Sequence, residues 1–248
     1  MEIIEAGADR GETMLFLHGG GLSWWNYREA AALLESDYRV LLPVLDGHAG
    51  SGRPFTTIED NAEELLAYID EHCGGSVLLI GGLSLGGQIL LEMLTRRRDV
   101  CRYALIESAA AIPSPVTNAL VAPAFGCSYG LIRSRTFARM QFRYLGMKDA
   151  LFEDYYRDTC RIGRADMIAF MKASTAYALK DGIRETDARV HVFFGERETG
   201  VIRRSAERIR QALPSCTVHP LPGLRHGAFS MNHAGDYAEA VRRIVGGK

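Results

Sequence analysis

Val77-Leu78-Leu79-Ile80-Gly81-Gly82-Leu83-Ser84-Leu85-Gly86-Gly87 is the stretch that decides the fold. A short apolar run ends in glycines, a serine sits midway between Gly82 and Gly86, and a helix-period segment follows at 85–94. That is a strand-turn-helix with Gly-x-Ser-x-Gly at the turn, the context of a nucleophile elbow. The chemistry asks for these residue types. A sharp turn forces the serine into a strained backbone, and side chains at the flanking glycines would collide. The strain lifts the hydroxyl above the sheet, and the following helix aims its positive N-terminus at it.

Outward from this point, apolar runs alternate with helical patterns. Runs at 14–17, 39–44, 76–80, 103–106, 190–194 and, more weakly, 217–221 are continuous rather than alternating. Continuous runs mark strands buried on both faces, as in a parallel sheet. Helical spacing is read at 24–34, 58–69, 85–94, 202–213 and 237–245. Strand-helix alternation predicts an α/β fold, a doubly wound, mostly parallel sheet. The alternation breaks between 113 and 186, where Pro113, Pro115 and Pro123 precede helical stretches at 131–145, 150–161 and 165–179. The expected division is a core of 1–112 and 187–248 with a helical cap at 113–186.

The 248 residues are 47% hydrophobic and 24% charged, with a net charge of −1. One large core is affordable at this length, and no basic excess points to nucleic acid. Five cysteines lie far apart without zinc-ligand spacing, which reads as free thiols in a reducing cytoplasm. The apolar 77–91 stretch is interrupted by polar residues and glycines and is shorter than a membrane span. The expectations are a cytoplasmic enzyme with a small-molecule substrate, no metal, no cofactor, no membrane and no nucleic acid. Oligomeric state is left open.

A serine nucleophile needs a base and an oxyanion site. His18-Gly19-Gly20-Gly21 follows the first run, and Gly20 and Leu85 are the expected oxyanion N–H donors. Seven histidines compete for the base. His191 and His219 lie in strand runs, His72 at a helix end and His18 in the glycine loop. His226, in Gly223-Leu224-Arg225-His226-Gly227 after the last run, falls at the carboxyl edge of the sheet with the elbow. His233 is the reserve. For the orienting acid, Glu198 in Gly195-Glu196-Arg197-Glu198 is preferred, with Glu196 and Glu107 as alternatives. Ser, Glu, His is then the chain order. Gly19, Trp24 and Phe125 are the expected pocket residues. Arg135, Arg139 and Arg143 share one helix face, solvated by default and suited to a carboxylate-bearing substrate if turned inward.

These motifs, with Asp46-Gly47-His48-Ala49-Gly50-Ser51-Gly52, resemble the α/β-hydrolase superfamily over nearly the whole chain. The closest resemblance is to small cap-bearing bacterial esterases and carbon–carbon bond hydrolases. It implies an esterase-like serine hydrolase working through an acyl-enzyme. Alternatives on the same residues are carbon–carbon hydrolysis, lyase chemistry or acyl transfer, and a weakly catalytic ligand-binding or signalling relative. The family usually carries aspartate where Glu198 stands, and two strands ahead of its first glycine loop. Only 17 residues precede His18, so a shortened N-terminal hairpin and a sheet of seven strands or fewer are expected.

Overall fold

A computed structural model describes residues 1–7 and 11–247. In chain order the core runs β1 (Glu2–Ala6), β2 (Thr13–Leu17), α1 (Arg28–Leu34), β3 (Arg39–Val44), α2 (Ile58–Cys73), β4 (Val77–Leu83), α3 (Leu85–Arg96) and β5 (Cys101–Glu107). Four helices follow before the next strand: α4 (Pro115–Ser128), α5 (Arg135–Leu145), α6 (Phe152–Thr159) and α7 (Arg164–Ala176). The core resumes with β6 (Arg189–Gly195), α8 (Gly200–Ala212), β7 (Thr217–Leu221), α9 (Ala228–Asn232) and α10 (Ala234–Val245). Among the described residues, seven strands are ordered β1-β3-β2-β4-β5-β6-β7, and only the β1–β3 pair is antiparallel.

Alternate residues of each run supply opposite faces of the sheet. Leu15, Leu17, Ile80 and Ile106 join one apolar cluster with Leu65 and Ile69 of α2, Ile89 of α3 and Ile209 of α8. Met14, Phe16, Leu79 and Leu105 join the other, with Leu34 of α1 and Val241 of α10. Both faces are therefore covered, which is why the runs read as continuous. Each such buried side chain contributes about 1.5–3 kcal/mol. α2 has sharp ends: Thr57 accepts the Asp60 N–H at its start, and Gly74 takes the left-handed conformation at its end.

Some elements differ from the sequence reading. β1 is an edge strand with a half-buried pattern, too mixed to stand out as an apolar run. β4 extends through Gly81 and Gly82 to Leu83, because β2 pairs with it as far as Gly82 and β5 as far as Leu83. α4 occupies the proline-rich opening of the 113–186 stretch. Pro115 takes the first turn, where its missing N–H costs nothing, and Pro123 lies inside the helix on an exposed face.

The helices between β5 and β6 are tied to the rest of the chain by polar contacts. Trp25 Nε1–H donates to Asp158 of α6 at 2.8 Å. Gln88 of α3 donates to the carbonyls of Ala110 and Ser174 at 2.8 and 2.9 Å. The Phe55 N–H donates to Asp166 of α7 at 2.9 Å. Replacing Trp25 by Phe removes a donor from a buried carboxylate. We expect a loss of about 1.5–3 kcal/mol in urea denaturation; an unchanged midpoint would show that Trp25 does not anchor α6.

Candidate active site

Ser84 is the residue between β4 and α3, with φ 52° and ψ −109°. That conformation costs a side-chain-bearing residue on the order of 1–3 kcal/mol. It persists because strand and helix cross with no room to relax. A Cβ at Gly82 would lie 2.4 Å from the Gly86 carbonyl oxygen, and one at Gly86 would lie 2.2 Å from that of Leu17. The Ser84 N–H donates to the Glu107 carbonyl at 2.8 Å, and its own carbonyl accepts from Gln88 at 3.0 Å.

The sheet register brings the other groups to the same edge. Leu83 pairs with Glu107, and Glu107 with Phe193, so β4 and β5 end level and β6 runs two residues further, to Gly195. Glu198 sits just past β6. Its Oε2 meets His226 Nδ1 at 2.7 Å, and its side chain is 1% exposed. Its Oε1 accepts from Ser108 Oγ–H at 2.7 Å and from the Gly195 N–H at 2.8 Å. Burial pushes the Glu198 carboxyl up. The hydrogen bonds from His226, Gly195 and Ser108, with the charge of His226, outweigh it and hold the group below its usual range. With Nδ1 engaged, Nε2 is the ring nitrogen of His226 left for chemistry.

The two rival acids have other partners. Glu196 Oε2 accepts the Gly223 N–H at 3.3 Å. Glu107 is buried, and its Oε1 accepts the N–H groups of Phe229 and Ser230 at 3.2 and 3.3 Å, at the start of α9. Burial pushes Glu107 up to about 7.

The glycine loop is fixed by two buried histidines. His18 Nε2 accepts the Leu45 N–H at 3.1 Å, and His48 Nε2 accepts the Gly21 N–H at 3.0 Å. Nδ1 of each ring faces a carbonyl, that of Gly19 and that of Asp46 respectively, which assigns the proton to Nδ1. Burial, with the neighbouring His48, holds His18 well below its usual range, and burial takes His48 to about 4. Both rings are neutral struts. Among the described residues, no protein acceptor takes the N–H of Gly20 or of Leu85.

Ser84, His226, Gly20, Leu85 and Phe125 all line one cavity of about 310 Å³, which side chains of α4–α7 also line. Gly19 and Trp24, the other two expected pocket residues, lie outside its lining. The Gly19 N–H is turned onto Asn26 Oδ1 at 3.3 Å, and the Trp24 ring lies under the Arg28 guanidinium instead. Arg135, Arg139 and Arg143 line an outer groove, away from Ser84. Ser108 escaped the sequence reading. Its φ is 55°, and its Oγ also accepts the Gly227 N–H at 3.2 Å, so it ties the Glu198 turn to the His226 loop. Only its place, directly after the β5 run, could have drawn notice. Among the described residues, no three His, Cys, Asp or Glu side chains cluster as a metal site requires.

Residues 14–240 match the model of the alpha/beta hydrolase family. No curated protein matches the sequence. The fold is similar to that of an esterase from Exiguobacterium antarcticum, with TM-score 0.83 and 16% identity over 98% of this chain and 94% of that one. It is also similar to an enol-lactonase from Burkholderia xenovorans LB400, with TM-score 0.81 and 16% identity over 97% and 94%. A thermophilic esterase from Thermogutta terrifontis gives TM-score 0.79 and 17% identity over 98% and 92%.

Glu107 makes a prediction about stability. Its folded-state pKa, about 7, lies above the 4.5 of a free side chain. Below the lower value both states are protonated. As pH rises between the two, the unfolded chain ionises first and stability is lost. The loss through neutral pH is on the order of 3 kcal/mol. Glu107→Gln lacks this slope, so urea denaturation from acid to neutral pH should show the wild type falling relative to the variant. Parallel profiles would refute the assignment.

Proposed function

We propose, from the premise that this chain belongs to the alpha/beta hydrolase family, that it is a serine hydrolase cleaving carboxylic esters through a Ser84–His226–Glu198 triad. The observation that carries the reading is the 2.7 Å contact of His226 with a buried glutamate, on an imidazole that shares its cavity with a serine of strained backbone.

In the proposed reaction His226 Nε2 takes the Ser84 proton as Oγ attacks the ester carbonyl carbon. The N–H groups of Gly20 and Leu85 hold the developing oxyanion, each worth about 3 kcal/mol. Glu198 keeps the proton of the resting ring on Nδ1 and stabilises the imidazolium that forms. His226 then protonates the leaving alcohol, and the same ring activates water to release the acid. Helices α4–α7 serve as a cap that limits water around Ser84. The structural neighbours are consistent with this chemistry: two are esterases, and the lactone that names a third is an internal ester.

Ser84→Ala should lower hydrolysis of 4-nitrophenyl butyrate by about 10⁴-fold or more and abolish fluorophosphonate labelling, with an unchanged circular dichroism spectrum. Glu198→Gln should cost about 10³–10⁴-fold by favouring the wrong tautomer, while Glu196→Gln stays near wild type. Full activity in Ser84→Ala ends the proposal; equal losses in the two glutamine variants reassign the acid.

A further inference from the structure

The cavity before Ser84 carries no counter-charge. Its polar side chains other than Ser84 and His226 are Gln141, Tyr155, Thr159 and Ser174, and the rest of the wall is apolar or glycine. Among the described residues, no Arg, Lys, Asp or Glu lines it. Two arginines of α5, on the outer groove, have partners of their own. Arg135 pairs with Glu153, and Arg139 lies 3.6 Å over the Phe152 ring and reaches Asp149. Arg225, beside His226, passes its Cδ by Gly146 and is not part of the cavity lining. The charge that does stand behind His226 is Glu198, held ionised by its hydrogen bonds. A carboxylate entering this space would lose its hydration and meet a charge of its own sign.

We propose that the site selects uncharged esters and rejects esters whose acyl or alcohol part bears a carboxylate. This rests on the serine-hydrolase reading above. The test uses two matched pairs at pH 8, dimethyl against monomethyl adipate and propyl against carboxymethyl butyrate, with fluorophosphonate labelling alongside. The neutral member of each pair should be favoured in kcat/KM by about a hundredfold or more. A charged member within about fivefold of its partner overturns the inference. Ser84-dependent labelling with no turnover of either neutral ester also overturns it and leaves the nucleophile intact. Loss of labelling together with turnover marks failure of the serine-hydrolase reading itself.

A separate observation concerns the groups beneath the site. Glu107 accepts from Phe229 and Ser230. Asn26 Nδ2–H donates to Ser230 Oγ at 3.4 Å, and the Gly19 N–H donates to Asn26 Oδ1 at 3.3 Å. Glu107, Ser230 and Asn26 are all buried. One end of this chain lies three residues past His226; the other adjoins Gly20. We infer that Glu107 is a positioning residue that sets the His226 loop against the glycine loop. Glu107→Ala and Asn26→Ala should each lower kcat by about tenfold with KM within about twofold, and Glu107→Gln, which keeps an acceptor, should recover kcat to within about threefold. Should Glu107→Ala fail to fold, Asn26→Ala and Glu107→Gln decide. Unchanged kcat in Asn26→Ala, or a glutamine variant as slow as that alanine variant, overturns the assignment.

Discussion

The close crossing of β4 and α3 at Ser84 is the constraint from which the rest of the site follows. A residue at φ 52° is held there only because the atoms around it leave no alternative. Gly82 lies against the Gly86 carbonyl, and Gly86 against that of Leu17 on the neighbouring strand. The burial that stabilises this crossing is distributed: β4 is buried along its whole length, and ten of the twelve residues of α3 are buried too. A strain of about 1–3 kcal/mol is small against that packing. The hydroxyl is thus placed by the core rather than by a flexible loop.

The end of β5 repeats the device one strand over. Ser108 also has positive φ, and its N–H donates to Phe193 on β6. The turn points its hydroxyl at both Glu198 and Gly227. The residue before it, Glu107, points the other way under the sheet edge and gathers the first N–H groups of α9. Two adjacent residues of opposite facing therefore hold the loop that carries His226. This explains how an imidazole on the loop between β7 and α9, half-exposed to solvent, is held in place.

Legibility in the sequence followed burial. Strands covered on both faces announce themselves as unbroken apolar runs, and the elbow by glycines that sterics demand. His226 and Glu198 were readable because strand ends fix which loops share an edge. β1 was not, because an edge strand with glutamates at positions 2 and 5 lacks that pattern. α4 was hidden by prolines whose cost depends on position, Pro115 being harmless in the first turn. Ser108 and the partners of Glu107 were hidden for a different reason. Their roles are hydrogen bonds between residues about 90 to 123 positions apart, and no local pattern encodes such pairs.

The 113–186 stretch marks where periodicity stops being informative. Spacing places Arg135, Arg139 and Arg143 on one face of α5, but it cannot say which way that face turns. Packing decides it. Ala138 and Phe142 of the same helix are buried, and Phe142 meets Phe152 and Tyr155 of α6. That contact rotates the arginines outward, where Arg135 and Arg139 stack on the outer surface of α6. Turning α5 over would drive guanidinium groups into the space above Ser84 and leave Phe142 in water. The electrostatic character of the cavity is thus set by an aromatic contact between two helices that carry none of the proposed chemistry.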